Sequence, residues 1–593
     1  MSDYSSNFPT QSPTFAFDAK AGKLDSRISY ARSSTGTAFS AERHLSSENL
    51  ISQSADLGSW SEGSTAFTTI TSNATAAPDG TTTAAQITGL TGTNKKAIYH
   101  GITTASTGSH TGVAYVKPNG HEYVQLMFGG APSVYQNYHL SGSGTKGNGG
   151  NDEATIEKIG DWYKLTISST ALAGWATNYY IVLVDSNTAA RYEDSTSTSS
   201  IFAWGANFST TGQKVFNSTS GQIHREYAPL LKTASADSPR FEYASDGQSV
   251  GLLIEAQATN LQRYGSDFAS WGEVRYTTVT SNSGIAPNGL LEADLAVPNS
   301  ESQLHYVYDT AAVIASGTTY TGSVYVKKTG HRYIQMTAST ANFGNNQWAT
   351  FDLDDGSIDA NNVTASAESV GNGWWRIQTT MTSIAAGTGG MAITFANTAT
   401  GAIFPTISGN DFSGILLWGW QLETGSSASS LVDTGTGSSQ LSRAADSCSL
   451  VSAPLLDNGS GGLTVEYDMR NASTTSYALQ TSRSSGATNN DGVTIFNEGL
   501  FVNGAGSSTR IGSTTSNVFH KVAASWESGS QKISRDGSSV TEDTTTVVPQ
   551  SGTDKLHIGT RQDGNASVNG HIRNIAIYSE PLTSTNLTTL SQL

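Results

Sequence analysis

One stretch constrains this chain more than any other because it occurs twice. Tyr320-Thr321-Gly322-Ser323-Val324-Tyr325-Val326-Lys327-Lys328-Thr329-Gly330-His331-Arg332-Tyr333-Ile334-Gln335 reads as two strands around a Lys-Lys-Thr-Gly turn. Val324 and Val326 alternate with Ser323 and Tyr325, the period a half-buried strand needs. Thr111-Gly112-Val113-Ala114-Tyr115-Val116-Lys117-Pro118-Asn119-Gly120-His121-Glu122-Tyr123-Val124-Gln125 repeats it 210 positions earlier. The register continues outside this stretch. Asp56-Leu57-Gly58-Ser59-Trp60 matches Asp267-Phe268-Ala269-Ser270-Trp271, and Ala77-Pro78-Asp79-Gly80 matches Ala286-Pro287-Asn288-Gly289. Asp161-Trp162-Tyr163-Lys164 matches Gly373-Trp374-Trp375-Arg376, and Phe202-Ala203-Trp204-Gly205 matches Leu416-Leu417-Trp418-Gly419. The chain therefore carries a duplicated β module with small insertions in surface loops.

Composition agrees with an all-β reading. Charged residues are 13% of the 593 positions, about half the usual share of about 25%. Gly, Ser, Thr and Asn fill the gap, while 11 Trp, 23 Tyr and 19 Phe supply core material. No long window places Leu, Ala, Glu and Lys at helical spacing. The expected fold class is tandem antiparallel β-sandwich (jelly-roll) domains with an extended N-terminal arm. A net charge of −16 and the lack of a basic stripe argue against binding nucleic acid. No run of about 18 apolar residues suggests a membrane span. The opening residues lack the basic and apolar regions of a secretory signal. Cys448 is the only cysteine, so no intrachain disulfide can form. A protein made in a reducing cytosol and released by lysis fits this balance.

The expected organisation is an arm (1–45), module 1 (46–227), a connecting segment (228–258), module 2 (259–435) and a final sandwich (446–593). Phe8, Phe15 and Phe17 punctuate the arm. It is too short for a core of its own and must dock on a later domain or a neighbouring protein. In the last domain, Leu463–Met469 and His520–Trp526 alternate strongly, and Gly570–Tyr578 closes the chain's strand pattern.

The last domain resembles the concanavalin A-like, laminin-G-type jelly roll, on His520-Lys521-Val522-Ala523, Arg535-Asp536-Gly537 and Gly570-His571-Ile572-Arg573-Asn574-Ile575-Ala576-Ile577-Tyr578. The repeated modules resemble carbohydrate-binding-like sandwiches of bacteriophage structural proteins, which close on Gly-x-Gln-Leu-Glu. Module 2 keeps that close at Gly419-Trp420-Gln421-Leu422-Glu423, whereas module 1 departs from it at Gly205-Ala206-Asn207-Phe208. The arm's Leu24-Asp25-Ser26-Arg27-Ile28-Ser29-Tyr30-Ala31-Arg32-Ser33-Ser34 resembles the entry segment of such phage proteins. In that family it runs directly into a Pro-Arg-Phe-x-Tyr and Gly-Leu-Leu-Ile-Glu segment, found here at Pro239–Tyr243 and Gly251–Glu255. The resemblance implies that module 1 is an inserted duplicate and that the arm meets residues 239–255. It further implies a non-enzymatic virion protein: a head fibre, capsid decoration or short tail appendage. Other virion proteins would be its partners, with homo-oligomers, trimers among them, and a host-surface glycan as ligand. A tail fibre or tailspike with polysaccharide-degrading activity is the alternative. A bacterial surface adhesin is a third reading, disfavoured by the missing signal and anchor.

Aromatic platforms are how sandwiches hold sugars, because a flat apolar face stacks on pyranose C–H groups. Trp162, Trp204, Trp374 and Trp418 recur at matched positions in apolar strands and read as core. Trp175 and Trp348 sit in polar contexts and are the first candidates for carbohydrate binding. Trp375 and Trp420 follow; alternation places Trp420 on one face with Trp418, and Trp375 opposite Trp374. Phe8, Phe15 and Phe17 are the candidates for anchoring to the virion. Glycoside hydrolysis needs two carboxylates across a cleft. Asp352 and Asp354 alternate on one strand, but an Asp-Asp-Gly turn explains them more simply, and Glu466 and Asp468 read as the polar face of an amphipathic strand. No His or Cys cluster has metal-ligand spacing, and His121 and His331 read as equivalent structural residues. Laminin-G-type sandwiches in some cases bind Ca2+ through rim carboxylates, for which Asp536 and Asp563 are candidates. Both stand in Asp-Gly turns, so no cofactor is expected. Gly142-Ser143-Gly144-Thr145-Lys146-Gly147 satisfies GxGxxG by chance in a Gly-rich loop.

Overall fold

The computed structural model describes residues 11–593, apart from 63–66, 79–80, 103–107, 130–133, 150–153, 173–176, 210–223, 311, 412, 452–454, 457–458, 471–475, 483–491, 498, 503–507, 513, 545–552 and 565. The fold is all-β, as expected. Its residues divide into two compact units, His44–Ala228 and Met1–Arg43 with Pro229–Leu593.

The first unit is module 1. One sheet runs Thr155–Ile159, Trp162–Leu172, Gly108–Asn119, Ser200–Ser209, Ala84–Gly89, Thr68–Thr75. The other runs Thr145–Gly149, Tyr135–His139, Tyr123–Phe128, Thr177–Leu183, Lys96–Ile102. Side chains alternate across each strand, so Ala114, Val116, Leu165 and Ile167 from the first sheet meet Leu126, Phe128, Ile181 and Leu183 from the second in one core.

Module 2, in the second unit, repeats this pairing and adds Glu273–Arg275 at the edge of its second sheet. Thr319–Thr329 lies between Trp374–Thr382 and Gly414–Thr424, as Gly108–Asn119 lies between Trp162–Leu172 and Ser200–Ser209. In the opposite sheet Tyr306–Tyr308, Met391–Ala396, Tyr333–Ala338 and Trp348–Asp352 follow one another. Val324, Val326, Ile377, Ile334, Met336 and Ile393 form the centre of its core.

Both modules share one departure from simple alternation. Gly205 and Gly419 have φ of 62° and 64°, and at each the ladder shifts register. Trp204 pairs with Tyr115 but Asn207 with Val113, and Trp418 pairs with Tyr325 but Gln421 with Ser323. A left-handed Gly that opens a bulge is its usual signature. The bulge corrects the expectation that Trp418 and Trp420 share a face. Trp418 packs outside the sandwich with Tyr325 and Trp374, while Trp420 points into the core.

The final sandwich is built partly from distant segments. Gly570–Tyr578 is flanked on one side by Gly461–Tyr467 and on the other by both Ser249–Ile254 and Phe15–Asp18. Ile28–Ala31 joins the facing sheet beside Ser447–Val451. The arm thus adds one strand to each sheet, and its Phe-Ala-Phe-Asp alternation buries Phe15 and Phe17 in the core. The arm also meets the connecting segment. Arg32 N–H donates to Asp237 Oδ1 at 3.0 Å and Arg240 Nη1 to the Thr37 carbonyl at 3.1 Å.

Candidate functional site

Several candidate residues are fixed by the fold in ways that remove them from any site. Trp420 is 0% exposed and packs edge-on against Trp271 at 5.3 Å between ring centroids. It is core, because the bulge at Gly419 turns it inward. Phe15 and Phe17 fill the final sandwich and present no ring for anchoring, which corrects the expectation for both. Phe8 and Trp175 lie outside the described residues. Trp375 is half-buried, donates from Nε1 to the Leu353 carbonyl at 3.1 Å and lies over Gly356, where a Cβ would come within 2.5 Å of the ring. It closes the edge of the core as a structural residue. Trp348 is half-buried on the outward face of its strand, since Ala349 and Phe351 point into the core.

The carboxylates are similarly committed. Arg332 grips Asp352 through Nε at 2.8 Å and Nη2 at 2.6 Å, and Lys328 Nζ lies 2.8 Å from Asp354. The Arg332 hydrogen bonds hold Asp352 below the usual carboxylate range. Asp536 accepts from His520 and from the Lys521 N–H, and Asp563 is paired with Arg561. Glu466 and Asp468 are buried rather than lying on a polar strand face. Glu466 accepts from Arg573 and Asn574, and Asp468 from His571. Among the described residues no group of three or more His, Cys, Asp or Glu could hold a metal ion.

The densest charge cluster lies where arm, connecting segment, module 2 and final sandwich join. Arg32 and Arg240 both reach Asp446, and Arg240, Arg443 and Arg470 converge on Glu255. Burial alone would raise Glu255, but Arg443, Arg470 and Arg240 hold it well below the usual range. His571 donates to Glu242 at 2.6 Å and faces Asp468 at 3.1 Å. Burial opposes its charge, yet the two carboxylates raise it to about 10. Each of these carboxylates already has a cation, so the cluster reads as a structural joint.

A pocket with unspent apolar surface occurs elsewhere, on the outward face of module 2's second sheet. Its volume is about 240 Å3, and Tyr306, Tyr308 and Phe404 wall it above Ala392 and Ala338, with Ser339 and Thr340 at the rim. Strand alternation creates it: Val307 points into the core, so Tyr306 and Tyr308 point out. The Tyr306 hydroxyl donates to Glu273 Oε2 at 2.8 Å, and Arg275 lies over its ring at 5.9 Å. Burial and the Glu273 bond push the Tyr306 phenol up to about 12; burial also raises Tyr308. Both phenols are therefore neutral at physiological pH, and the Glu273 bond holds the Tyr306 ring in place. Phe404 is fixed by its backbone, with φ of 56° and its N–H donating to Gln335 Oε1 at 3.2 Å. Tyr308 pairs with Ala392 and Ala392 with Thr337; continuing that ladder one step from the Met336–Ala349 pair reaches Trp348. Thr337 is fully buried between them, so Trp348 shares the face but not the pocket.

None of Tyr306, Tyr308 and Phe404 was singled out from sequence. Tyr306-Val307-Tyr308 is a strand alternation that could have signalled the first two. Phe404 sits in a loop whose geometry the sequence does not announce.

The fold defines a chain of tandem antiparallel β-sandwiches. Residues 443–588 match the family model of the concanavalin A-like lectin/glucanases superfamily. No curated protein matches the chain. Among solved structures, the N-terminal CBM22-1-CBM22-2 tandem domain of Paenibacillus barcinonensis Xyn10C is similar over 65% of this chain and 100% of that one, at 12% identity and a TM-score of 0.19. A Trypanosoma rangeli sialidase in complex with the inhibitor DANA covers 79% of this chain and 94% of its own, at 10% identity and a TM-score of 0.21. The LG1-3 region of the laminin alpha2 chain covers 83% and 96%, at 12% identity and a TM-score of 0.13. At such TM-scores these likenesses carry no argument.

Proposed function

We propose that this chain is a non-enzymatic bacteriophage virion protein whose module 2 engages a saccharide of the host surface. One observation carries the glycan reading: the Tyr306–Tyr308–Phe404 pocket. Two phenol rings and a phenyl ring offer apolar faces for pyranose C–H groups, and Ser339 and Thr340 supply hydroxyls at the rim. About 240 Å3 falls below the roughly 300–1,000 Å3 of drug-sized sites, which suits one sugar residue. The non-enzymatic reading is supported by Asp352 and Asp354, whose pairing with Arg332 and Lys328 leaves neither as a free acid or base.

The virion part rests on the arm's Leu24–Ser34 pattern and the module motifs. On this reading the protein is made in the bacterial cytoplasm, leaves by lysis and sits on the particle with other virion proteins, as a homo-oligomer. No anchoring residue is assigned, since Phe15 and Phe17 are buried within the chain itself.

Two measurements test the reading. Tyr308→Ala in the full chain should abolish retention on immobilised host-surface polysaccharide; unchanged retention would sink the pocket. Immunogold labelling with an antibody to residues 447–593 should decorate intact particles at capsid or tail, and particles without label would remove the virion assignment.

A further inference from the structure

The face that carries the pocket in module 2 also exists in module 1, where it is closed. Tyr180 stands in the register of Ala392. It pairs with Tyr99 on one side and Met127 on the other, as Ala392 pairs with Tyr308 and Thr337. The equivalence extends into the covering loop. Tyr192 and Phe404 have φ of 55° and 56°. The Tyr192 N–H donates to Gln125 Oε1 at 2.7 Å, as the Phe404 N–H does to Gln335. A bulky residue at positive φ is uncommon and strained, yet both copies keep one, with the same glutamine anchor, beside the same spot on the sheet.

What differs is the occupant of that spot. The Tyr180 ring lies 5.1 Å from Tyr99 and 5.5 Å from Tyr192, centroid to centroid. Lys95 Nζ sits 5.5 Å over the Tyr192 ring. Gly129 takes the place of Ser339, each directly after the paired end of its strand. A Cβ on Gly129 would come 2.9 Å from Tyr180 Cε2. The missing side chain at Gly129 and the ring at Tyr180 are thus complementary.

We infer that Tyr180 is a built-in plug. Module 1 holds the counterpart of the saccharide pocket, walled by Tyr99 and Tyr192 with Ala97 in the register of Tyr306, and filled by its own phenol ring where a pyranose would stack; Ala392 is the residue that opens module 2. This rests on the glycan reading above, and adds that the chain has one open monosaccharide site and one latent site.

The test uses the full chain in four forms: wild type, Ala392→Tyr, Tyr180→Ala and the two combined. The probes are the methyl glycosides of glucose, galactose, mannose, N-acetylglucosamine and rhamnose, read by saturation-transfer NMR and by titration for stoichiometry. Wild type should bind one equivalent of at least one glycoside. Ala392→Tyr should weaken that binding at least tenfold, Tyr180→Ala should raise the stoichiometry to two, and the double variant should regain one site. Tyr180→Phe, which keeps the ring, should leave the wild-type stoichiometry unchanged. If Tyr180→Ala does not fold, Gly129→Ser offers a second route, since its side chain would displace the Tyr180 ring. Wild-type binding with a silent double variant, or binding that survives Ala392→Tyr, overturns the plug. Failure of wild type to take any of the five overturns the glycan reading and the plug with it, a result that no variant is needed to recognise.

Discussion

The two modules share an interior and differ in what lies outside it. Their cores use the same strand pairings, the same bulge and the same aromatic near the entry, Trp60 in one and Trp271 in the other. Outside the first sheet, Tyr325, Trp374 and Trp418 of module 2 pack with Leu431, with Leu231 of the connecting segment and with Phe39 of the arm. Their module 1 counterparts Tyr115, Trp162 and Trp204 pack with Ala55, Ala77, Ala84 and Phe202 of their own module. Outside the second sheet, module 1 carries Met127, Val182 and Tyr180 where module 2 carries Thr337, Thr394 and Ala392. Duplication preserved the part that folds, and the outer faces took on separate tasks. Module 2 docks on the rest of its unit through one sheet and opens a pocket on the other.

The largest expected effect breaks an inequality between the cores. Trp420 fills module 2 where module 1 has Ala206. Trp420→Ala should cost about 3–5 kcal/mol, the range for emptying a buried aromatic site. Hydrogen exchange should accelerate in peptides covering 319–329 and 414–424 and stay unchanged in 108–119. Equal acceleration in both modules would mean that they do not unfold independently.

Next in size is the joint, which belongs to the unit containing module 2. Glu242→Gln leaves His571 with Asp468 alone and removes a partner of Arg470. Breaking a buried pair from one side costs about 3 kcal/mol. The pH dependence has a definite sign. His571 is raised to about 10 from an ordinary 6.5, so its stabilisation is fully present below pH 6.5 and is lost as pH rises towards 10. The wild-type urea midpoint of this unit should fall between pH 7 and 10, and Glu242→Gln should flatten that fall. A midpoint that holds steady to pH 10 would show that His571 is not cationic in the fold.

The class of fold was legible because it rests on period-2 alternation and on a duplication visible at many points. The faces were less so. Alternation put Trp418 and Trp420 together, and one left-handed glycine separated them. A Trp-Gly pair at the same place in both repeats, 204–205 and 418–419, was the available signal. Phe15 and Phe17 are as apolar as a docking segment should be, but the pattern does not say whether the surface they seek is on another protein or far downstream in the same chain at Ile575 and Ile577. Glu466 and Asp468 looked like a solvated strand face because their cations come from elsewhere in the chain. The pocket was hidden for a related reason. It depends on an absence, the small side chain of Ala392, at a spot whose neighbours come from separate strands and a loop. Comparing the repeats position by position through the sheet register, with Tyr180 opposite Ala392, is what makes it visible.

Gly419→Ala probes the shared bulge. A non-glycine residue in the left-handed region costs roughly 1–2 kcal/mol, and here the new Cβ would also lie 3.0 Å from the Tyr325 ring and 3.1 Å from Leu431. Gly205→Ala carries the same backbone cost at φ 62°. Urea midpoints should fall for both, and a neutral outcome at either position would remove the bulge from the list of features the modules need.

The smallest effect tests where the modules should behave alike. His121 Nε2 lies 2.8 Å from the Tyr123 carbonyl and Nδ1 2.8 Å from Ser197 Oγ, while His331 Nε2 lies 2.9 Å from the Ala396 carbonyl. Burial lowers both below the ordinary value of 6.5. A histidine held neutral in the fold stabilises it above pH 6.5, and that contribution fades as pH falls and the unfolded chain takes up a proton. Each module should lose stability as pH falls from 7 to 5, opposite in direction to the joint. His121→Gln should remove the acid-side loss from module 1 alone, and His331→Gln from module 2 alone. Hydrogen exchange of peptides 123–128 and 333–338, compared with wild type at each pH, reads the two separately. If one substitution quiets both modules, the acid response belongs to a group they share and not to these histidines.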